Sequence, residues 1–295
     1  MSPQPASRPA VTSFITRAAL HQAGLTRDGI DRALAAGTLI RLRRGRYVTA
    51  DVHEEVIRAG TLGGRLDCLS LLRHLGVFVL ATPPLHLQVD VGASRLPERP
   101  HGVVCHWRAS EAPPDALLAN RVEALAQAVK CQDPRAAIAT LDSALHLGFI
   151  DEADLARVFA RLPRRHQALR PLLDARSEAG SESLMRLVLR TLGCHLEVQV
   201  VIHGVGRVDF VVDGWLIIEC DSTEFHSSWE ARKKDRRRDL AAAALGYSTV
   251  RILAEDIFFH RDEVRTALQA VLDHGPRVSR RGRGRPPRPQ QLLRS

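Results

Sequence analysis

The stretch Arg207-Val-Asp-Phe-Val-Val-Asp-Gly-Trp-Leu-Ile-Ile-Glu-Cys-Asp221 sets carboxylates within otherwise apolar β segments. It predicts a strand, a tight turn at Asp-Gly and a second strand. Burying an unpaired carboxylate is costly, so Asp209, Glu219 and Asp221 each require a partner. The usual partner of such a cluster is a hard divalent cation with oxygen ligands. The segment therefore indicates a metal site, and the basic residues near it suggest phosphodiesters as substrate.

The length of the turn decides whether the three acids can share an ion. Glu219 and Asp221 lie two apart on one strand and point to the same face. A two-residue turn would face Asp209 away from them. A three-residue loop, residues 212–214 with the glycine in the left-handed conformation, would pair Asp209 with Ile217 and place all three acids on one face. We predict this bulged turn.

Composition bounds the class of protein. The 295 residues are enough for two or three domains, and the formal net charge is +9. Residues 275–295 hold seven arginines and no acid, so most of that charge belongs to the C-terminal segment. The five cysteines are scattered without a CxxC pair, which favours reduced thiols over a disulfide framework or a structural zinc site. We expect a cytoplasmic protein without a membrane partner, since no apolar run approaches ~20 residues and no signal peptide is evident.

The N-terminal part predicts a small DNA-binding module over residues 11–50, after a disordered segment at 1–10. A helix over 14–24, a helix over 27–36 capped by Thr26, and a basic hairpin over 39–48 are typical of a winged helix-turn-helix. The predicted phosphate contacts are Arg41, Arg43, Arg44 and Arg46. A protein-interaction module with a solvated, charged hairpin is the alternative.

The same region resembles the N-terminal domain of the type IV abortive-infection antitoxin family. The matching layout is ITRAALHQAGLTRDGIDRALAAGTLIRLRRGRYV, residues 15–48. The resemblance implies DNA binding and autoregulation.

Residues 51–173 predict a mixed and then helical middle region, whose helical part over 115–173 carries no chemical constellation and is interpreted as packing elements. Periodicity predicts a helix over 65–76 and strands over 77–80, 85–91 and 103–107. Three or so helices rich in Ala and Leu follow over 115–173. The polar stretch 174–181 is the predicted domain boundary.

Residues 181–274 predict a second domain with the element order αβββαβα. The predicted elements are a helix over 182–192 capped by Ser181, strands over 197–202, 207–212 and 215–220, a helix over 229–245, a strand over 248–253 and a helix over 254–274.

This domain resembles the PD-(D/E)xK restriction-endonuclease-like fold, in the branch related to very-short-patch-repair endonucleases. The resemblance rests on SES at 181–183, RVDF, IECD, His226, RKKDRRRDLAAAALGY and VRI. It implies an αβββαβ core that hydrolyses DNA with Mg²⁺, or with Mn²⁺. It also implies that Asp209 and Glu219 are metal ligands, with the Cys220 carbonyl as a third.

The resemblance assigns further roles. Asp221 stands where the fold usually has a catalytic lysine, which leaves the general base unassigned. Glu182 would be an outer ligand, and His226 a proton shuttle or phosphate contact. The implied phosphate contacts are Lys233, Lys234, Arg237 and Arg251.

Simpler explanations stay open. The three carboxylates could form structural ion pairs with Arg207 and Arg251, and the charge run at 230–239 could be a solvated helix face. The tail segment from Arg283 to Arg285 resembles an AT-hook core that lies in the minor groove, or is a disordered basic tail.

The sequence therefore predicts a multi-domain α/β protein of α+β type that binds DNA and carries a Mg²⁺-dependent endonuclease domain. The alternative is a non-catalytic transcriptional regulator of the antitoxin type with a degenerate nuclease fold. DNA is the expected partner, and a homodimer and a toxin or repair partner are left open.

Overall fold

The computed structural model describes residues 12–221 and 229–276 of the chain. It contains helices and sheets in two compact units, which divide after Ala175. No helix in the described ranges is long and apolar enough to cross a membrane. The predicted disordered segment 1–10, His226, and the tail arginines Arg283 and Arg285 lie outside the described residues.

Unit 1 contains two three-stranded sheets and seven α-helices within its described part. Its elements are β1 (Ile15–Thr16), α1 (Arg17–Gln22), α2 (Arg27–Ala35), β2 (Leu39–Arg43), β3 (Arg46–Thr49), α3 (Glu54–Thr61), β4 (Arg65–Leu66), α4 (Cys68–His74), β5 (Leu85–Val89), β6 (Val103–Trp107), α5 (Arg121–Cys131), α6 (Pro134–His146), α7 (Glu152–Ala160) and a 3₁₀ helix (Arg164–Leu172).

Two short helices and a hairpin open unit 1. Thr26 caps α2 as predicted, because its hydroxyl accepts a hydrogen bond from the Gly29 amide. The first helix begins at Arg17 and not at residue 14, since residues 15–16 pair with β3 and complete a sheet of order β1-β3-β2. Leu20 and Ile30 bury their side chains in a cluster beneath this sheet.

The second sheet of unit 1 has the order β4-β5-β6, with β5 and β6 parallel. The predicted helix over 65–76 is shorter than expected, because Arg65–Leu66 pairs with β5. The strand predicted over 77–80 is wrong. The Phe78 amide donates to the Ser143 hydroxyl at 3.0 Å, so this segment is fastened to α6.

Unit 2 has the predicted order of helices and strands through its last strand, after which two helices stand in place of the single predicted one. Its elements are α8 (Gly180–Thr191), β7 (Leu196–Ile202), β8 (Gly206–Val212), β9 (Leu216–Asp221), α9 (Trp229–Ala244), β10 (Ser248–Leu253), α10 (Ala254–Phe259) and α11 (Arg261–His274). The four strands form one sheet of order β10-β9-β8-β7, in which β10 runs parallel to β9 and the other neighbours are antiparallel.

Two helix predictions in unit 2 are wrong in detail. Ser181 is not the cap of α8, because the helix begins at Gly180, two residues before the predicted start, and Ala179 takes the cap position without a side-chain hydrogen bond. The predicted helix over 254–274 is two helices, which are separated at His260.

The β8–β9 hairpin has a three-residue connection, residues 213–215. Asp213 and Gly214 both have positive φ, 48° and 75°, as the centre of a type I′ turn requires, and the Trp215 amide donates to the Val212 carbonyl at 3.2 Å. Trp215 is then an extra residue before the ladder starts at Val212 opposite Leu216. The predicted bulged connection is present, but its residues and register differ from the prediction: Asp209 falls opposite Glu219 and not opposite Ile217.

The core of unit 2 gives a first test. Phe210 of β8 is fully buried, and we expect Phe210→Ala to lower the free energy of unfolding of this unit by about 3–5 kcal/mol, since a large cavity remains. Hydrogen exchange of peptides from residues 206–221 at graded denaturant measures the change. The matched control is Val201→Thr on β7, where the side chain is exposed and the change stays within about 0.5 kcal/mol. Equal losses in both variants would contradict this packing.

Candidate functional site

The acids predicted to act together lie on one face of the unit 2 sheet. The register of β8 and β9, continued by one residue pair, sets Asp209 opposite Glu219. Asp209 Oδ2 accepts a hydrogen bond of 2.8 Å from the Cys220 amide, which fixes the carboxylate against β9. Asp221 follows on the same face of β9, and its side chain is more accessible than that of Glu219.

Glu182 joins this face from helix α8. Its side chain is buried, and Oε2 accepts hydrogen bonds from Gln199 Nε2 at 2.8 Å and from the Glu178 amide at 3.0 Å. Gln199 belongs to β7 at the position between the pairs Val198–Phe210 and Val200–Val208, which sets it across from Asp209, and it has a φ of +54°. A non-glycine residue in this conformation is uncommon, and strain of this kind often marks a functional site.

The electrostatics are those of a crowded acid cluster. Burial, together with the nearby negative charge of Asp209, raises the pKa of Glu182 to about 7. Burial also raises the pKa of Asp209 and of Glu219, and for Glu219 the charge of Asp209 adds to the effect. A bound cation would reduce the repulsion between these carboxylates and favour their ionised forms.

Arginines already provide part of that positive charge. Arg238 of α9 donates to Glu219 Oε1 at 3.1 Å and also to the carbonyls of Val205 and Arg207. Arg251 lies opposite Glu219 in the β9–β10 register, and its guanidinium contacts Asp221 at 3.3 Å.

Arg251 is thus placed among carboxylates. It also donates to Asp239 at 2.9 Å, so the residue predicted to contact phosphate is engaged by two acids. Arg207, the other arginine considered as a structural partner, forms an ion pair with Glu178 at 2.5 Å. Although the acids share a face, their oxygens do not converge in the manner of a preformed metal cage within residues 12–221 and 229–276.

The basic residues of α9 differ in accessibility. Lys233 forms an ion pair with Glu230 at 3.0 Å and lies over the Trp229 ring. Lys234 and Arg237 are exposed, and no ion pair holds them among the described residues. The charged groups of these two residues are therefore accessible to solvent.

The hairpin arginines of unit 1 also separate into two pairs. Arg43 is turned inward and donates to the Arg95 carbonyl at 2.7 Å, and the Arg46 guanidinium lies 4.7 Å from the centre of the Phe14 ring. Arg41 and Arg44 are exposed and form no hydrogen bond or ion pair within the described residues.

Sequence reasoning missed two residues of the acid face. Gln199 could not be predicted from the sequence, because no pattern within a strand indicates that a residue other than glycine or asparagine adopts the left-handed conformation. Arg238 gave no distinct signal because it is the last of three consecutive arginines, residues 236–238. A helical signal existed, since Ala242 is buried four positions later and i, i+4 residues share a face.

It also missed a second group, in unit 1. Cys68, His86, His106 and Cys131 form a cluster whose ligand atoms all lie within 4.8 Å of one another, a composition that can bind a metal ion. The scattered cysteines had argued against such a site, because the spacing of the four residues follows no short motif.

Comparison with known proteins gives distant relatives without a described activity. No protein family model matches the chain. Uncharacterized proteins from two strains of Mycobacterium tuberculosis, CDC 1551 / Oshkosh and ATCC 25618 / H37Rv, are 34% identical to it over 135 residues. The match covers 42% of this chain and 49% of each relative, so the chain spans about half the length of the curated relatives it matches.

The acid face makes stability depend on pH. The pKa of Glu182 is raised to about 7 from an ordinary 4.5, so its contribution to stability is full below about pH 4.5 and is lost as pH rises through about 7. We expect Glu182→Gln, which removes this ionisation, to raise the free energy of unfolding at pH 8 by up to about 3 kcal/mol, with little change near pH 4. Denaturant unfolding at a series of pH values in EDTA measures it.

The control for this test is Glu197→Gln, an exposed glutamate of β7. Its stability curve should follow the unsubstituted protein at every pH. A Glu182→Gln curve parallel to both would contradict the raised pKa.

Proposed function

We propose that unit 2 is a Mg²⁺-dependent endonuclease domain that hydrolyses phosphodiester bonds of DNA. The single observation that carries this proposal is the buried acid face, on which Asp209 lies opposite Glu219 and Glu182 approaches from α8. An αβββαβ order of elements around a mixed four-stranded sheet is the arrangement implied by the restriction-endonuclease-like resemblance. Metal-dependent nucleases of that fold use this combination of acids.

The donor set suits a hard cation. Carboxylate oxygens are the ligands that Mg²⁺ prefers, and no sulfur or imidazole competes for it on the described part of this face. Asp209 and Glu219 would hold the ion, with the Cys220 carbonyl beside them and Glu182 as an outer ligand. A bound Mg²⁺ would polarise the scissile phosphate and lower the pKa of a water molecule.

The protein's own groups supply the remaining steps. Glu219 would leave Arg238 when it turns to a cation, and Arg238 would then offer its guanidinium to a phosphate oxygen. Lys234 and Arg237, exposed on α9, would neutralise the flanking backbone. His226, which lies outside the described residues, would carry a proton, and the fixed ion pair of Asp221 with Arg251 favours a supporting role for this acid.

Unit 1 would bring this chemistry to DNA. The support for this is the order of two short helices followed by the β2–β3 hairpin, the order that a winged helix-turn-helix would have. In this arrangement Arg41 and Arg44 would contact phosphates, while Arg43 and Arg46 are engaged within the protein by the Arg95 carbonyl and the Phe14 ring.

A non-catalytic DNA-binding regulator is the second candidate. The observation that favours it is the pairing of Glu219 with Arg238 and of Asp221 with Arg251, because these contacts satisfy acids that a nuclease would keep for metal. In this case the acid face would be a structural remnant, and DNA binding by unit 1 would carry the activity.

Cleavage assays separate the two candidates. Purified full-length protein should nick or cut supercoiled plasmid with Mg²⁺ or Mn²⁺ and not with EDTA. Asp209→Asn and Glu219→Gln should each reduce the rate by at least about 100-fold while the fold is kept, because each removes a ligand of the cation that would stabilise charge on the reacting phosphate, and one such electrostatic interaction is typically worth that much. Glu197→Gln should cleave normally. Cleavage that persists in both acid variants would assign the activity to a contaminant, and its absence from the unsubstituted protein would favour the regulator.

DNA binding by the hairpin is tested separately. We expect Arg41→Gln combined with Arg44→Gln to weaken binding to duplex DNA and to reduce the salt dependence of log K by about 2, one for each lost phosphate contact. The matched control replaces Arg164 and Arg165 of the 3₁₀ helix, which are exposed and carry the same charge. Fluorescence anisotropy over a range of salt measures both. An equal loss in the two double variants would indicate general charge attraction and not a hairpin contact.

A further inference from the structure

The Cys/His cluster of unit 1 is assembled from four separate elements. Cys68 is the first residue of α4, His86 lies in β5, His106 in β6, and Cys131 is the last residue of α5. Their ligand atoms all lie within 4.8 Å of one another. Two thiols and two imidazoles from four elements meet at one point, which chance packing of a polar surface does not explain.

The register of the parallel strands produces the histidine pair. His86 is opposite Val104, so His106, two residues further along β6, lies on the same face. The alternate residues Leu85, Leu87 and Cys105 pack on the other face, in the hydrophobic core. The sheet therefore has an apolar side and a side that presents imidazoles to α4 and α5.

The separations fit a tetrahedral ion. Zinc–ligand bonds of about 2.0–2.3 Å place tetrahedral ligand atoms about 3.3 to 3.8 Å apart. His86 Nδ1 is 3.1 Å from His106 Nε2, and Cys131 Sγ is 3.9 Å from that same Nε2. These side chains are close to coordination geometry without needing a new backbone arrangement.

The backbone conformation of Cys68 and the contacts around Cys131 also favour a metal site. Cys68 is fully buried and has a φ of +52°, a conformation that residues other than glycine adopt rarely and that strained functional positions retain. Gln127 Nε2 donates to Cys131 Sγ at 3.3 Å, the kind of outer contact that orients and stabilises a thiolate ligand. Cys131 is the most accessible of the four ligands, which provides an entry path.

We propose that Cys68, His86, His106 and Cys131 bind one Zn²⁺ ion in a closed structural site. The ligand set selects the metal: thiolate with imidazole in a tetrahedral arrangement is typical of zinc, and two thiolates neutralise its charge. Four protein ligands leave no open position for a substrate, so the ion joins α4, β5, β6 and α5 and stabilises unit 1. This site is independent of the acid face and of any nuclease activity.

Metal analysis of the full-length protein tests the proposal directly. Protein purified under reducing conditions without chelator should contain one zinc ion per chain, as measured by inductively coupled plasma mass spectrometry. Mercurial modification of the thiols should release that zinc to a colorimetric indicator. Metal-free protein titrated with Co²⁺ should develop the visible absorption of a tetrahedral thiolate complex, which Zn²⁺ then abolishes.

A matched pair of cysteine variants locates the site. Cys131→Ala should weaken zinc binding by more than about 100-fold, since even outer contacts of a zinc site are worth about 10- to 100-fold. Cys105→Ala, a cysteine of β6 that faces the hydrophobic core, should keep full zinc content. If Cys131→Ala does not fold, the mercurial release and Co²⁺ spectrum of the unsubstituted protein still decide the question.

Three results would overturn the proposal. The first is less than about a tenth of a zinc per chain together with no tetrahedral Co²⁺ spectrum. The second is stoichiometric iron or copper in place of zinc. The third is a Cys68–Cys131 disulfide in non-reducing peptide maps of protein that still binds Co²⁺ normally. None of these results bears on plasmid cleavage, so failure here and failure of the proposed function are distinguishable.

Discussion

Carboxylates that share one buried face of a sheet lose hydration and repel one another. The contacts around the acid face of unit 2 offset this unfavourable free energy. The type I′-like turn at Asp213-Gly214 and the extra residue Trp215 fix the register that sets Asp209 opposite Glu219. Each partner of the acid face then follows from this register. Cys220 donates its amide to Asp209, and Arg238 reaches Glu219 from the helix that crosses the sheet. A shift of one residue in the turn would separate these partners, because side chains alternate between faces.

In unit 1 the feature that requires stabilisation is the short mixed sheet formed by β4, β5 and β6. Its β5 and β6 strands have five residues each, and β4 contributes only two. Core packing covers one face of this sheet, while polar groups occupy the other. Bringing imidazoles and thiols together there without a metal would leave them dependent on one another for hydrogen bonds. A zinc ion satisfies all four at once and joins elements that are distant in sequence.

The sequence predicted what depends on short-range pattern. The strands of unit 2 fall within a residue of their expected bounds, because apolar alternation and the Asp213-Gly214 pair are local signals. The exact loop residues were missed, since both central residues take positive φ and the bulge falls on Trp215. The Cys/His cluster could not be foreseen, because its ligands come together only through the parallel register of β5 with β6. Which arginine of α9 faces the sheet likewise depends on the rotation of that helix.

Two kinds of positive charge can reduce the repulsion between the carboxylates of the acid face. One is an arginine that pairs with a carboxylate, and the other is a metal cation that displaces this arginine. Arg238 also holds the carbonyls of Val205 and Arg207, so it stays in position when Glu219 turns away. Releasing Glu219 therefore removes one acceptor and leaves a fixed guanidinium beside the acid face. Arg251 bridges two carboxylates, and releasing Asp221 would disturb a balanced network. In the proposed nuclease, Arg238 would therefore be a positioned positive charge for an incoming phosphate once Glu219 binds the metal.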